Sequence, residues 1–588
     1  MKLITVAAVL FVAASGLAME MNGLQDAAGA WSKIVVDWEA FERAEDPLTA
    51  GAEGDLEALA RLPELTAAAD ARRLAAIKSF ASRLHALDAS ALAAADDRFN
   101  HAFLKRVIDE RLERAAFDPA RLAFTNEGGA GTSIGYVART TAVGSRGDAD
   151  AWISRLEAMP RMIRESIANA RRGLATGFTQ PRSVVENALE IARAEAALTP
   201  ETDPLLLPLA SLPPSIPQSH AGALHARARS LTTGPIAAAR REWVRFLDSE
   251  YMPKARAGLG IGSLKEGRDY YAFLARSFTT TNLTPDEIHG IGLEEVARIR
   301  REMQEQIRAA GFNGSFADFL QWLRTDPRFY ARTRQEMLEK ASEIAKRADD
   351  ALPKLFRKSL PRLPYGVREV PREIEDQYTT GRYFPGSMAN GIAGGYIVNT
   401  GKLDQRPLYE LPALTVHEAV PGHHLQIAIS QELGDQPWFR RNATTTAFVE
   451  GWGLYSEFLA VEMGIYRDPY ERFGRLSYEM WRACRLVADT GIHWKGWTLE
   501  TARACFRDNS ALAPHNIETE LQRYVADPGQ ALAYKIGELR IKALRQKAQN
   551  ALGSRFDVRD FHDTLLLGGA LPLDMLEMRV DGWIQGRK

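Results

Sequence analysis

Apolar residues recur at helical spacing through most of the chain. From about residue 25 to residue 195 Ala, Leu, Arg and Glu dominate, and runs such as the one around Ile77 to Ala94 place apolar side chains every three or four positions. This pattern predicts packed amphipathic helices. A proline-rich stretch from Thr199 to Pro217, TPETDPLLLPLASLPPSIP, interrupts it and reads as a linker or exposed crossover loop. Helical patterning then resumes. At LTPDEIHGIGLEEV, Thr284 precedes Pro285 and stands three residues before Glu287, an N-cap, first-turn proline and capping box that open a long helix. His289 on that helix reads as a partly buried polar residue at a helix contact. Between about residues 360 and 400 prolines, glycines and β-branched residues collect, and GGYIVNT, Gly394 to Thr400, is the best strand candidate. Helical patterning returns at LYELPALTVHEA and runs almost to the C-terminus. No repeat of fixed period is present. The expectation is a mainly α protein with a small sheet just before a histidine-rich segment.

At 588 residues the chain is long enough for two lobes or one large helical body. Its 74 basic and 75 acidic residues nearly cancel, so no global field favours nucleic acid or an anionic membrane surface. A small or roughly neutral substrate is the simpler partner. The opening MKLITVAAVLFVAASGLAME has Lys2, an apolar run from Leu3 to Ala14 and small residues before a cleavage point after Ala18, the form of a secretory signal peptide. The apolar run is short for a membrane span, and no cysteine follows it to carry a lipid. An exported protein, periplasmic or secreted and without a stable membrane anchor after cleavage, is expected. Cys484 and Cys505 are the only cysteines, which excludes a cysteine-built zinc site. Export permits them to pair. Two buried free thiols on neighbouring helices fit the sequence equally well.

The segment TVHEAVPGHHLQ, residues 415–426, departs from a familiar metal motif. In H-E-x-x-H two histidines one helical turn apart face a zinc ion, and the Glu between them is the base. Here His417 and Glu418 are followed by Pro421 where the second histidine would stand. On a regular helix His423 would be turned roughly 120° from His417, and His424 would lie roughly 10.5 Å along the axis. Pro421 lacks the N–H for residue 417 and should kink the helix, and Gly422 relaxes the local dihedral limits. If these two residues form a bulge, His423 replaces the missing ligand and Glu418 keeps its relation to His417.

A third ligand should come from a later helix. In FVEGWGLYSEF, Glu450 and Glu457 lie seven apart on nearly one helical face among large apolar residues, where carboxylates are costly unless paired or metal-bound. Glu450 as ligand and Glu457 as partner of a ligand histidine account for both. In RLVADTGIHWKGWT, Arg485, Asp489 and His493 recur every four residues and can share a face, where His493 could hydrogen-bond an oxyanion. In RYVADPGQALAYKIG, Arg523, Tyr524, Tyr534 and Lys535 are candidates to hold substrate or a developing oxyanion. His424 and Tyr396 are further candidates near substrate, and the strand Gly394 to Thr400 would offer backbone groups to an extended peptide.

HEAVPGHHLQ, EGWGLYSE, DTGIHWKGWT and RYVADPGQALAYKIG, in this order, together with the upstream YYAFLARSFTTTNLTPDEIHGIGLEEV, resemble the bacterial domain-of-unknown-function-885 family, grouped with the zincin metallopeptidases. The resemblance covers roughly residues 30 to 580. It implies a large, two-lobed, gluzincin-like helical fold: a signal peptide over residues 1–18, a helical lobe over 19–360 and a metal-binding catalytic lobe over 361–588, the lobes intertwined. By motif, His417 and His423 match the two histidine ligands, Glu418 the water-activating base and Glu450 the third ligand. His493 and Tyr534 match positions connected with transition-state stabilisation. The resulting expectation is an exported peptidase using one zinc ion. Its rivals are a non-catalytic peptide-binding protein on the same fold and a metal-dependent amidase of cell-wall stem peptides.

Overall fold

A computed structural model of the protein describes residues 26–372, 375, 378–388, 391–434 and 436–587. The expected signal peptide lies outside the described residues. The chain is mainly helical with one small sheet, as its periodicity requires. It divides into two compact units after Ala255, with the short piece Pro437–Phe439 belonging to the first. This division does not coincide with the boundary expected near residue 360. Helix α1, Pro285–Ala309, packs along α5, Pro469–His493, so this stretch belongs to the unit that holds the histidine-rich segment.

In the first unit, Trp152, Leu156 and Met159 of the helix Arg146–Thr176 lie in a core with Leu205, Leu209, Leu224 and Ile236. The proline-rich stretch is thus no exposed linker. Pro204–Leu209 forms a 3₁₀ turn with Leu205 and Leu209 in the core, and the Leu205 carbonyl accepts from the Trp152 indole at 3.0 Å. Alternating proline with leucine supplied apolar surface as well as punctuation.

The second unit holds every motif singled out above. Thr284 caps α1 as expected: its side chain accepts from Glu287 N, and Glu287 accepts from Thr284 N at 2.8 Å. The sheet has order β1-β3-β2, with β1 Tyr365–Glu369, β2 Gly381–Phe384 and β3 Gly394–Val398. β3 pairs parallel to β1 and antiparallel to β2. Both its edges are occupied, so the strand expected to receive a peptide cannot add one. Its poor apolar alternation reflects a central strand covered on both faces. After it come α2, Leu411–Glu418, α3, His423–Glu432, and α4, Thr446–Glu462. Beyond α5 lie α6, Pro514–Ala526, and α7, Ala533–Leu552. Cys484 on α5 is bonded to Cys505 on the helix Leu499–Asn509, with Cα atoms 5.7 Å apart. No described helix is long and apolar enough to cross a membrane.

A candidate metal centre

Helix α2 is buried along its whole length and stops at Glu418. Pro421, joined to Val420 by a cis peptide bond, has no N–H to continue the helical ladder, and a new helix starts at His423. The expected two-residue bulge is instead a complete break between two helices. Gly422 is required here for close approach rather than for an unusual φ. A Cβ at this position would lie 1.9 Å from the His417 carbonyl oxygen and 2.5 Å from that of Val416. The turn is fixed by His424 N donating to the Ala419 carbonyl at 3.1 Å and by the Trp452 indole donating to the Pro421 carbonyl at 2.7 Å.

The break turns His423, not His424, toward Glu450. His423 Nε2 lies 3.4 Å and His417 Nε2 3.7 Å from the same Glu450 oxygen, and the two imidazoles stand at 86°. One ligand atom from each of the three residues fits within a mutual separation of 4.8 Å. Tetrahedral zinc with bonds of about 2.0–2.1 Å separates its ligand atoms by roughly 3.3–3.4 Å. The donor set therefore fits one zinc ion with little movement. On the far side of the His417 ring, Nδ1 donates to Glu457 Oε1 at 2.9 Å, the carboxylate–histidine pairing that orients a metal-ligating imidazole. Burial opposes charge on His417, but the Glu450 and Glu457 carboxylates outweigh it and push its pKa up to about 9. Burial likewise opposes the Glu450 charge, and the two histidines hold its carboxyl well below the usual range. Glu418 is 8% exposed, and its carboxylate makes no hydrogen bond to another side chain among the described residues. It adjoins His417 in sequence, and its charge is felt at the His417 imidazole.

The EGWG motif builds the wall of the site. A Cβ on Gly453 would sit 2.7 Å from His417 Cε1, so the glycine seats the imidazole. Gly451 lies against Gly537 of α7, and a Cβ on Gly537 would approach the Ala447 carbonyl oxygen to 2.0 Å. Helices α4 and α7 thus cross backbone to backbone, one residue from Glu450 and one turn from Tyr534. Tyr534 is buried, its hydroxyl accepts from Arg523 at 3.3 Å, and the Arg485 guanidinium lies 4.1 Å from its ring centroid.

Other expected site residues have different work. His424 accepts from the Tyr383 hydroxyl at 3.0 Å and rests on the Tyr365 ring, and burial lowers its pKa to about 4. It fixes α3 to the sheet. Tyr396 is fully buried against Thr415 on α2, its hydroxyl 3.2 Å from the Thr415 hydroxyl, with no face left for substrate. Arg485, Asp489 and His493 do share a face of α5, yet that face grips the turn after α6. Arg485 binds Glu520 at 2.8 Å and the Tyr524 hydroxyl at 2.9 Å. Asp489 accepts from Gly529 N at 3.1 Å and from the Tyr271 hydroxyl at 2.5 Å, and burial pushes its pKa up to about 7. His493 accepts from Ile261 N at 3.0 Å and donates to the Tyr524 carbonyl at 2.8 Å. With both ring nitrogens committed to backbone, His493 has nothing to offer an oxyanion. Tyr524 is equally saturated, its hydroxyl also accepting from the Trp481 indole at 3.0 Å. Lys535 is fully buried among Glu295 and Glu479 at 2.8 Å and Glu538 at 2.5 Å, which raise its pKa against the effect of burial, so it ties α1, α5 and α7 together. His289 meets Thr490 of α5 at 2.8 Å, the helix contact its position suggested.

Residues 47–580 match the family described as Bacterial protein of unknown function (DUF885), and the chain belongs to this family. Among curated proteins there is no significant match. Two solved structures are similar over nearly their full length. One is "the putative lipoprotein from Colwellia psychrerythraea", with TM-score 0.87 and 26% identity, covering 96% of this chain and 99% of that one. The other is "a putative lipoprotein of unknown function from Shewanella oneidensis", with TM-score 0.70 and 18% identity, covering 93% and 99%.

Proposed function

We propose that the protein is an exported, zinc-dependent peptidase of zincin type. The observation that carries this reading is the convergence of His417, His423 and Glu450 beside the unpartnered Glu418, with Glu457 behind His417. A binding protein needs no free carboxylate at that place. His417 Nε2, His423 Nε2 and a Glu450 oxygen would hold the ion. Zinc in such a site supplies Lewis acidity and lowers the pKa of water toward about 7. Glu418 takes the proton of the water that adds to the peptide carbonyl, and returns it to the amine nitrogen as the C–N bond breaks. In this reading Tyr534, one turn from the helix crossing next to Glu450, donates a hydroxyl hydrogen bond to the oxyanion. Arg523 donates to its hydroxyl oxygen and the Arg485 guanidinium lies over its ring, so the hydroxyl keeps its own proton to donate.

Export is supported by the signal-like opening of the sequence, by the Cys484–Cys505 bond, and by the lipoprotein naming of the Colwellia relative. The test is zinc content and peptide hydrolysis for the parent, Glu418→Gln and His423→Ala, with products identified by mass spectrometry. The expected outcome is retained metal and lost turnover in the first variant, and lost metal in the second. Full zinc occupancy in His423→Ala, or undiminished hydrolysis by Glu418→Gln, would overturn the assignment. Including cell-wall stem peptides among the substrates separates an amidase from a general peptidase.

A further inference from the structure

Arg482 lies on α5, one turn before Arg485 and outside every motif identified in the sequence. The residue is 4% exposed, and its Nη2 lies 3.2 Å from Glu457 Oε1, the oxygen that accepts from His417 Nδ1 at 2.9 Å. Its Nη1 donates to the Tyr478 carbonyl at 3.2 Å, and its guanidinium lies 4.6 Å from the Trp481 ring centroid and 4.8 Å from that of Tyr478. The head group is thereby held in place. Glu457 is 1% exposed. A carboxylate buried to that degree is strongly unfavourable unless it is paired and hydrogen-bonded. A single imidazole N–H also leaves the carboxylate free to swing about its terminal torsion, which is broad and soft.

We infer that Arg482 is a positioning residue for the metal centre: it acts through Glu457 to hold the His417 imidazole with Nε2 turned toward Glu450 and His423. Three helices contribute one group each to this chain, α5 the guanidinium, α4 the carboxylate and α2 the ligand. Gly453 lies against a face of the ring. His417 is thus fixed from behind and from the side. Loss of Arg482 frees the Glu457 carboxylate and, with it, the direction of the ligand.

This inference rests on the proposed metal centre, and the experiment keeps the two separable. Zinc dissociation constants are measured by chelator competition on the full chain for the parent, Arg482→Met, Glu457→Gln and the double variant. Arg482→Lys and Arg406→Met are included. Removal of such an outer partner typically weakens metal binding by about 10- to 100-fold. That loss is expected for each single variant, with the double no weaker than Glu457→Gln alone. Arg482→Lys, which keeps charge without the planar fork, should fall between parent and Arg482→Met, and it remains readable if Arg482→Met does not fold. Arg406 is equally buried and donates to the Tyr378 carbonyl, so Arg406→Met should alter stability while leaving zinc affinity at the parent value. Parent-like affinity in Arg482→Met and Arg482→Lys, or losses that multiply in the double variant, would overturn the role of Arg482 alone. A parent that binds no zinc would overturn the metal centre itself.

Discussion

Replacing Gly453 by Ala adds one methyl group against the face of the His417 ring. The new Cβ would lie 2.7 Å from Cε1, 2.9 Å from Nε2 and 3.1 Å from Nδ1 of the imidazole. Carbon and nitrogen atoms not bonded to each other settle at about 3.5–4.0 Å. The ring must therefore retreat by roughly 0.5–1 Å, whereas metal-ligand distances tolerate about 0.2 Å. It cannot slide freely, because Nδ1 is bonded to Glu457 and the residue is 2% exposed. Overpacking of this kind costs about 1–3 kcal/mol. In the absence of metal the ring can relax part of that strain, and ion binding must restore it. The same 1–3 kcal/mol then appears as a roughly 5- to 150-fold weaker zinc affinity. Chelator competition reads the affinity, and urea unfolding with excess chelator reads the stability separately. Gly290→Ala, on α1 where an added Cβ meets nothing within 4 Å, is the control and should leave affinity unchanged. If Gly453→Ala bound zinc like the parent, His417 would not be the ligand that the wall positions.

The crossing of α4 and α7 allows less relief: Gly537→Ala drives a Cβ to 2.0 Å from the Ala447 carbonyl oxygen and should cost about 3 kcal/mol or more, read as a lowered urea midpoint. An unchanged midpoint would contradict the backbone-to-backbone contact. Asp489 has its pKa raised by burial from 3.8 to about 7, so its contribution to stability is fully present below about pH 4 and is lost as pH rises through 7. Asp489→Asn keeps an acceptor for Gly529 N, and its melting temperature should gain on that of the parent between pH 5 and pH 8. Parallel profiles would refute the assignment. Cys484 and Cys505 close a loop with a sequence separation of 21, for which the chain-entropy model gives about 3 kcal/mol. The double serine variant should lose about that much in urea unfolding and become insensitive to reductant, and equal midpoints for parent and variant would count against the bond.

Local signals carried further than their spacing first suggested. Thr284, Pro285 and Glu287 specify the start of α1 because all three act within one turn. His417, Glu418, His423 and Glu450 were identifiable because few residue types can serve as ligand and base, and because carboxylates amid Phe448, Trp452 and Tyr455 need a partner. Pro421 and Gly422 announced that the helix would depart from regularity. They did not specify a full break, because that depends on Trp452 reaching the Pro421 carbonyl from another helix.

What the sequence left open concerns partners remote along the chain. GGYIVNT reads as a strand, but its place in the centre of the sheet follows from pairing with two strands elsewhere. Arg485, Asp489 and His493 read as one helix face, but whether that face meets solvent, substrate or the turn at Gly529 is set by the packing of α5 against α6 and α7. Arg482 carries no signal at all, being one arginine among 74 basic residues until α4 brings Glu457 beside it. The sequence by itself determined the helical class, the cap of α1 and the residue types gathered at the candidate metal centre, because these depend on periodicity and residue type. Only the tertiary structure decided which buried polar groups serve the site and which hold the scaffold. A buried charge or imidazole is defined by the groups that satisfy it, and those groups arrive from distant segments.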